Sequence, residues 1–293
     1  LRSRGWIKKF AMPKALSRDQ IDQYQREGYL YPIQIVTPDE AATCRQRLEA
    51  IEEAMGGQFN GIQRTKFYLR YYWAYELATT PTMLDAVEDL IGPDILLYHN
   101  TSWLKRAGDQ AYVSWHQDNN YIGVEPCEML SFWIALTPST LENGCMQVLP
   151  GTHRGGQLPT GVPDLNNKNM LPSGLVAEHD LSKTRPIAME LAPGEASIHH
   201  AYTVHGSQAN LSNQRRMGVT FMYFPTHVVQ KGKRRTSAML VRGEDRYGHF
   251  DAECPPAGDD DPDTIARHEC SATLHRAKEE ELGKKTVARF DTN

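Results

Sequence analysis

The stretch VSWHQDNNY, residues 113–121, sets an imidazole, His116, two positions before a carboxylate, Asp118. In an extended strand, residues i and i+2 lie on one face, so this spacing predicts that both side chains reach one metal ion. A third donor must then come from a distant segment. His205, in TVHGSQANLSNQRRMG, is the best placed, near the end of a predicted strand and followed by Gly206. Two histidines and one carboxylate bound on one face leave three positions open. That is the donor set of non-haem Fe(II) oxygenases, whose open positions accept a bidentate cosubstrate and then dioxygen.

A 2-oxoglutarate cosubstrate also needs a cation for its far carboxylate. Arginine suits this because its planar fork bonds a carboxylate through two N–H groups. Arg215 and Arg216 follow His205 by ten and eleven residues on the next predicted strand. As neighbours on a strand they point to opposite faces, so only one can serve. His99, His153, His179, His199, His200, His249 and His268 read as hydrogen-bonded core or loop residues rather than ligands.

The chain around these residues has 293 positions, a net charge of -4 and 40% hydrophobic residues, ordinary for a globular protein with a sizeable core. Its one basic cluster, KGKRR at 231–235, reads as a solvated loop, and nucleic-acid binding is not indicated. No apolar run is long enough to span a bilayer, and no secretory signal opens the chain. Residues 1–11 read as an extension before a start at Met12, and 12–293 as a single domain. Five cysteines without CxxC spacing argue against a disulfide framework or a zinc site and favour a reducing cytosol.

The elements that must position the site follow from pattern. Ser17 with Gln20, and Thr37 with Pro38 and Glu40, mark two helix starts; Gly28 and Gly56 mark their ends. A third helix is predicted over 81–91, capped by Thr80 and stopped by Gly92. From Asp94 onward, short aliphatic and aromatic runs alternate with turn residues, as in ILLYHNTSW, MLSFWIAL, EASIHHAYTVHG and MGVTFMYFP. Such a series reads as a β-sandwich or barrel. The long Gly-, Pro- and Asn-rich segment Thr152–Gly174 is a candidate lid. Tyr68, Tyr71, Tyr72 and Tyr121 are candidates for the pocket wall, with core packing as the alternative. A helical tail is expected over 255–293.

Six segments carry a wider resemblance: REGYLYPIQIV, LIGPDILLYHN, WHQDNNYIG, FWIALTPSTLENGCMQVLPGTHRGG, HGSQANLSNQRRMG and YFPTHVVQ. From about Leu16 to past His249 the chain resembles the phytanoyl-CoA dioxygenase family of Fe(II)/2-oxoglutarate oxygenases. ENGCMQVLPGTH between the two ligand motifs is its strongest mark. The resemblance implies a double-stranded β-helix, a cupin-like jelly roll that is mainly β with flanking helices. It implies His116, Asp118 and His205 as iron ligands, with Fe(II), 2-oxoglutarate and dioxygen as the reacting set. The family's arginine falls eleven residues after the distal histidine, which selects Arg216. Trp133 resembles a residue lining the cosubstrate, Lys66 in RTKFYL resembles a lysine that reaches it, and Ser207 is a further donor. Carrier-protein-dependent halogenases of the same fold are similar around WHQ and NGC, but hold a small residue where this chain has Asp118. The expected activity is hydroxylation of a small or medium-sized metabolite. The alternatives are another outcome of the same iron chemistry (desaturation, cyclisation, epimerisation or halogenation) and a catalytically silent jelly-roll binding protein.

Overall fold

The computed structural model describes residues 13–57, 59, 61–181 and 184–287. The expected start at Met12, the extension over 1–11 and the end of the tail lie outside them. Helices α1 (Arg18–Glu27) and α2 (Pro38–Ala54) begin on the two expected capping boxes, closed by Ser17 with Gln20 and by Thr37 with Glu40. Gly28 ends α1 at φ 80°, where an added Cβ would meet His153 and Thr203 within 2.5 Å, so both backbone and space require glycine. Strand β1 (Tyr29–Gln34) follows α1. Helix α3 (Tyr72–Ala78) was not predicted, and α4 (Pro81–Ile91) was. Thr80 precedes α4 without capping it, because its hydroxyl donates back to the Leu77 carbonyl at 3.2 Å.

The β region comprises β2 (Ile95–Lys105), β3 (Val113–His116), the one-turn helix α5 (Asn119–Ile122), β4 (Val124–Glu125), β5 (Leu130–Ala135) and β6 (Met146–Val148). It continues through β7 (Ile187–Ala188), β8 (Glu195–His200), β9 (His205–Ser207), β10 (Arg216–Pro225), β11 (Val229–Gln230), β12 (Ser237–Arg242) and β13 (Asp251–Ala252). A 26-residue helix, α6 (Pro262–Val287), closes the described chain. Seven strands form one sheet in the order β1-β8-β5-β10-β2-β12-β13, four form a second in the order β3-β9-β6-β7, and β11 pairs with β4. This is the jelly roll that the strand pattern and the resemblance implied. No helix among the described residues is long and apolar enough to cross a membrane.

Strand β10 is buried at every position, yet it still alternates. Met217, Val219, Phe221 and Tyr223 join the core formed with Leu48 of α2, Trp73 and Leu77 of α3, and Met83 and Val87 of α4. Arg216, Thr220 and Met222 face a pocket between the two sheets. The segment Thr152–Gly174 is stitched down: Leu158 N–H donates to Gln117 Oε1 at 2.8 Å and Gln157 to Asn120 Oδ1 at 2.6 Å.

The C-terminal helix packs more closely than a tail. Leu282 lies against Gly123, and Gly283 lies so close to Ser173 that a Cβ would meet its hydroxyl at 2.4 Å. Beneath α6 a buried charge network joins distant parts of the chain. Glu253 accepts from Lys66, from the Tyr68 hydroxyl and, at 2.7 and 2.8 Å, from Ser237 and Ser271. The side chains of Lys66 and Glu253 are 0% and 5% exposed. Removing one partner leaves a buried uncompensated charge, which costs about 3–5 kcal/mol, whereas replacing both with apolar groups is often neutral. Glu253→Ala is therefore expected to lower unfolding free energy by about that amount, and Lys66→Met/Glu253→Leu by much less. Urea denaturation of the two variants checks this; equal losses would remove the account.

Candidate metal centre and cosubstrate pocket

Antiparallel pairing of β3 with β9 sets His116 directly opposite His205. Their ring centroids are 4.1 Å apart. Asp118 arrives differently from the expectation. The strand ends at His116, and Asp118 is the N-cap of α5 in a helical conformation, φ -57° and ψ -36°. Asp118 therefore does not share with His116 the strand face that the i, i+2 spacing predicts. The chain turns after His116, and the turn brings Asp118 to the histidines. Its Oδ1 lies 3.4 Å from His116 Nε2 and 3.5 Å from His205 Nε2. Donor atoms of the three residues all lie within 4.8 Å of one another, and all three residues are buried.

Local hydrogen bonds orient both rings. His116 Nδ1 bonds the Ser114 carbonyl at 2.8 Å, and His205 Nδ1 bonds the Thr203 carbonyl at 2.9 Å. Each Nδ1 thus carries its proton, and each Nε2 presents a lone pair. Three lone-pair atoms converge with no N–H between them. They repel one another unless a cation sits among them, so the residues fit a divalent metal. Burial, then the adjacent His116 and His199, pushes His205 well below the usual imidazole range, so it stays neutral as a ligand must. Burial opposes ionisation of Asp118, but contacts that include the hydrogen bond from His199 outweigh it and hold the carboxyl well below its ordinary value.

Two residues that sequence reasoning passed over hold the second carboxylate oxygen. Ser131 on β5 and His199 on β8 are cross-strand partners. The Ser131 hydroxyl donates to Asp118 Oδ2 at 2.7 Å, and His199 Nε2 lies 3.1 Å from it. His199, expected as a core or loop histidine, faces Asp118 because of the strand register.

The pocket beside the donors encloses about 40 Å³, with Trp103, Trp133, Ser207 and Arg216 in its wall. Arg216 is 2% exposed, and Arg215 instead turns outward to Glu52 of α2. Burial lowers the Arg216 pKa to about 10, which leaves it charged. Its Nη1 donates to the Gly144 carbonyl at 2.6 Å, and the guanidinium lies 5.3 Å from the centre of the Trp133 ring. Its Nε has no partner among the described residues. A buried guanidinium with an unmet donor suits an incoming carboxylate. Two glycines make this arrangement possible. A Cβ at Gly218 would lie 2.1 Å from Trp133, and one at Gly144 would lie 2.3 Å from the Gln208 carbonyl. Gly144 sits in the NGC segment, so that mark supplies both a close approach and the carbonyl that holds Arg216.

Lys66 does not reach this pocket. Its left-handed backbone, φ 51°, turns it towards the Glu253 network, where Nζ also donates to the Ser237 carbonyl at 2.8 Å. Lys105 stands closer. It is the cross-strand partner of Arg216, and its Nζ donates to the Ser207 hydroxyl at 2.8 Å. The position at the end of β2, opposite Arg216, was the signal for it, legible only with the register. Burial, then Arg216, lowers its pKa to about 6. Among the tyrosines considered, only Tyr121 borders the cavity next to the metal donors. Tyr68 belongs to the Glu253 network, and Tyr72 is 46% exposed beside a separate surface groove. Above pH 6 Lys105 is mostly neutral in the empty pocket, and a nearby anion favours its charged form. Binding of 2-oxoglutarate to the metal-loaded protein at pH 8 is therefore expected to take up a proton. Calorimetry in buffers of different ionisation heat measures it, and a buffer-independent heat would rule it out.

A family model for phytanoyl-CoA dioxygenase (PhyH) matches residues 24–218, about two-thirds of the chain. A Caenorhabditis elegans protein named "Probable phytanoyl-CoA dioxygenase" is 30% identical over 236 residues, 71% of this chain and 75% of that protein. The human peroxisomal phytanoyl-CoA dioxygenase is 27% identical over 58% of this chain and half of its own length. Among solved structures, the non-haem monooxygenase ThoJ in its apo form superposes with a TM-score of 0.81 at 25% identity, covering 91% of this chain and all of that one. The chain belongs to the phytanoyl-CoA dioxygenase family and shares its general kind of reaction, an Fe(II)- and 2-oxoglutarate-dependent oxygenation.

Proposed function

We propose that the protein hydroxylates a small or medium-sized metabolite, with His116, Asp118 and His205 as iron ligands and Arg216 as anchor for the far carboxylate of 2-oxoglutarate. One observation carries this reading: the three donor atoms converge in a pocket whose wall also holds a buried, incompletely partnered guanidinium. Iron bound with 2-oxoglutarate and dioxygen supplies the oxidising power to functionalise an unactivated C–H bond while the cosubstrate loses carbon dioxide and becomes succinate. The protein's own groups supply placement. Ser131 and His199 hold Asp118 so that one oxygen faces the histidines. Trp133 lies beneath the Arg216 guanidinium, whose unpartnered Nε remains for the carboxylate. Ser207, backed by Lys105, offers a further hydrogen bond. Trp103, Trp133, Met146 and Met222 keep the wall apolar, which strengthens each charged contact inside it.

The presence of Asp118 supports hydroxylation over halogenation, because its carboxylate fills the position a halide would need. A reducing compartment such as the cytosol suits the five cysteines, all free thiols.

Asp118→Ala removes one ligand and one charge. It is expected to abolish both succinate and hydroxylated product when a responsive substrate is supplied. Product gaining one oxygen supports hydroxylation; loss of two hydrogens would replace it with desaturation. Arg216→Met keeps the packing but removes the fork, and should weaken 2-oxoglutarate by roughly 10- to 100-fold in KM. An unchanged KM would discard Arg216 as the anchor. Absence of 2-oxoglutarate binding to the Fe(II)-loaded wild-type protein under anaerobic titration would favour a catalytically silent binding protein.

A further inference from the structure

Beyond the metal donors lies a second cavity whose chemistry the reaction type does not explain. It encloses about 240 Å³ and shares Trp103, Asp118 and Met222 with the inner pocket. Tyr121, Ile122 and Leu171 give it an apolar side, whereas Arg64, Arg276 and Glu279 give it a charged one. Arg64 comes from the turn before Lys66, and Arg276 and Glu279 come from one face of α6, three residues apart. The Arg64 guanidinium lies 5.2 Å from the centre of the Trp103 ring. A guanidinium held over an aromatic ring still has N–H groups to offer an anion.

Arg64, Arg276 and Glu279, all part-exposed, thus make up the charged side of the cavity, while Asp118 in its wall belongs to the metal centre. Burial lowers the Arg64 pKa; Glu279 opposes that shift and Arg276 adds to it. His99, in the same wall, feels the same field. Burial first, then His275, Lys66 and Arg64, pushes it well below its usual range, so it contributes no charge. With Asp118 committed to a divalent metal, two guanidiniums face the one remaining carboxylate, Glu279, and an incoming anion would pair with that excess.

We propose that the substrate is an anion, a carboxylate or a phosphate ester, whose charged group is received between Arg64 and Arg276 while its apolar body lies along Trp103 and Met222 towards the metal. This inference rests on the metal centre proposed above. It also makes α6 a substrate-recognition element rather than a tail.

The test uses the full chain loaded with Mn(II) and N-oxalylglycine, a 2-oxoglutarate mimic that does not turn over and occupies the Arg216 site. Phenylalkanoic acids, the matched primary amides and phenylalkyl phosphates are titrated by calorimetry. At least one acid or phosphate is expected to bind about tenfold or more tightly than its amide, as loss of a charge-assisted hydrogen bond would require. Arg64→Gln should erase that preference, and Arg64→Lys should keep part of it. Arg276→Gln, on the surface helix, provides the same reading if Arg64→Gln folds poorly by circular dichroism. The stronger anion class distinguishes a carboxylate from a phosphate substrate. Equal binding of acids, phosphates and amides, no binding by any of them, or a preference that survives both glutamine substitutions would overturn the proposal. Failure of the metal-centre reading is separately visible, as N-oxalylglycine failing to bind the Mn(II) protein.

Discussion

The pairing of β2 with β10 is the constraint on which the rest depends. Its register sets Lys105 against Arg216, Trp103 against Gly218, Thr101 against Thr220 and His99 against Met222. Because side chains alternate, His99, Thr101, Trp103, Arg216, Thr220 and Met222 face the pockets, and Met217, Val219, Phe221 and Tyr223 build the core beneath the helices. A slip of one residue would send the arginine to the helix layer and phenylalanine to the pocket. The buried hydrophobic set of β10 thus enforces the polar site: Met217, Val219, Phe221 and Tyr223 cannot be exposed cheaply.

That register also gives the interior a direction. Lys105 and Arg216 stand at one end, the metal donors reach in from the smaller sheet near the middle, and His99 and Met222 open onto the second cavity. Trp103 stands between the two chambers, with Arg64 over its ring. A cosubstrate and a substrate could thus approach one metal from different sides of a single strand pair.

Much of this was readable in advance. The capping boxes at Ser17 and Thr37 are local chemistry, and local chemistry survives folding. His116, Asp118, His205 and Arg216 stand out by residue type, spacing and resemblance, and the fold brings donor atoms of the first three within 4.8 Å of one another. Asp118 joins the histidines through a turn and not along a shared strand face, since the strand stops two residues before it. Lys66 shows the limit of matching by segment. A lysine in a similar string is buried in a network with Glu253, whereas Lys105 stands beside Arg216 by strand register.

The sequence by itself determined the donor types, the helix ends and the alternation of strands, because each depends on residues a few positions apart. Tertiary structure alone decided which lysine stands beside Arg216, that Ser131 and His199 hold Asp118, and that α6 walls the second cavity. These are contacts between segments far apart in the chain: 102 residues separate Lys105 from Ser207, and 81 separate His199 from Asp118. Strand order and register set them, and no local pattern encodes which strands become neighbours.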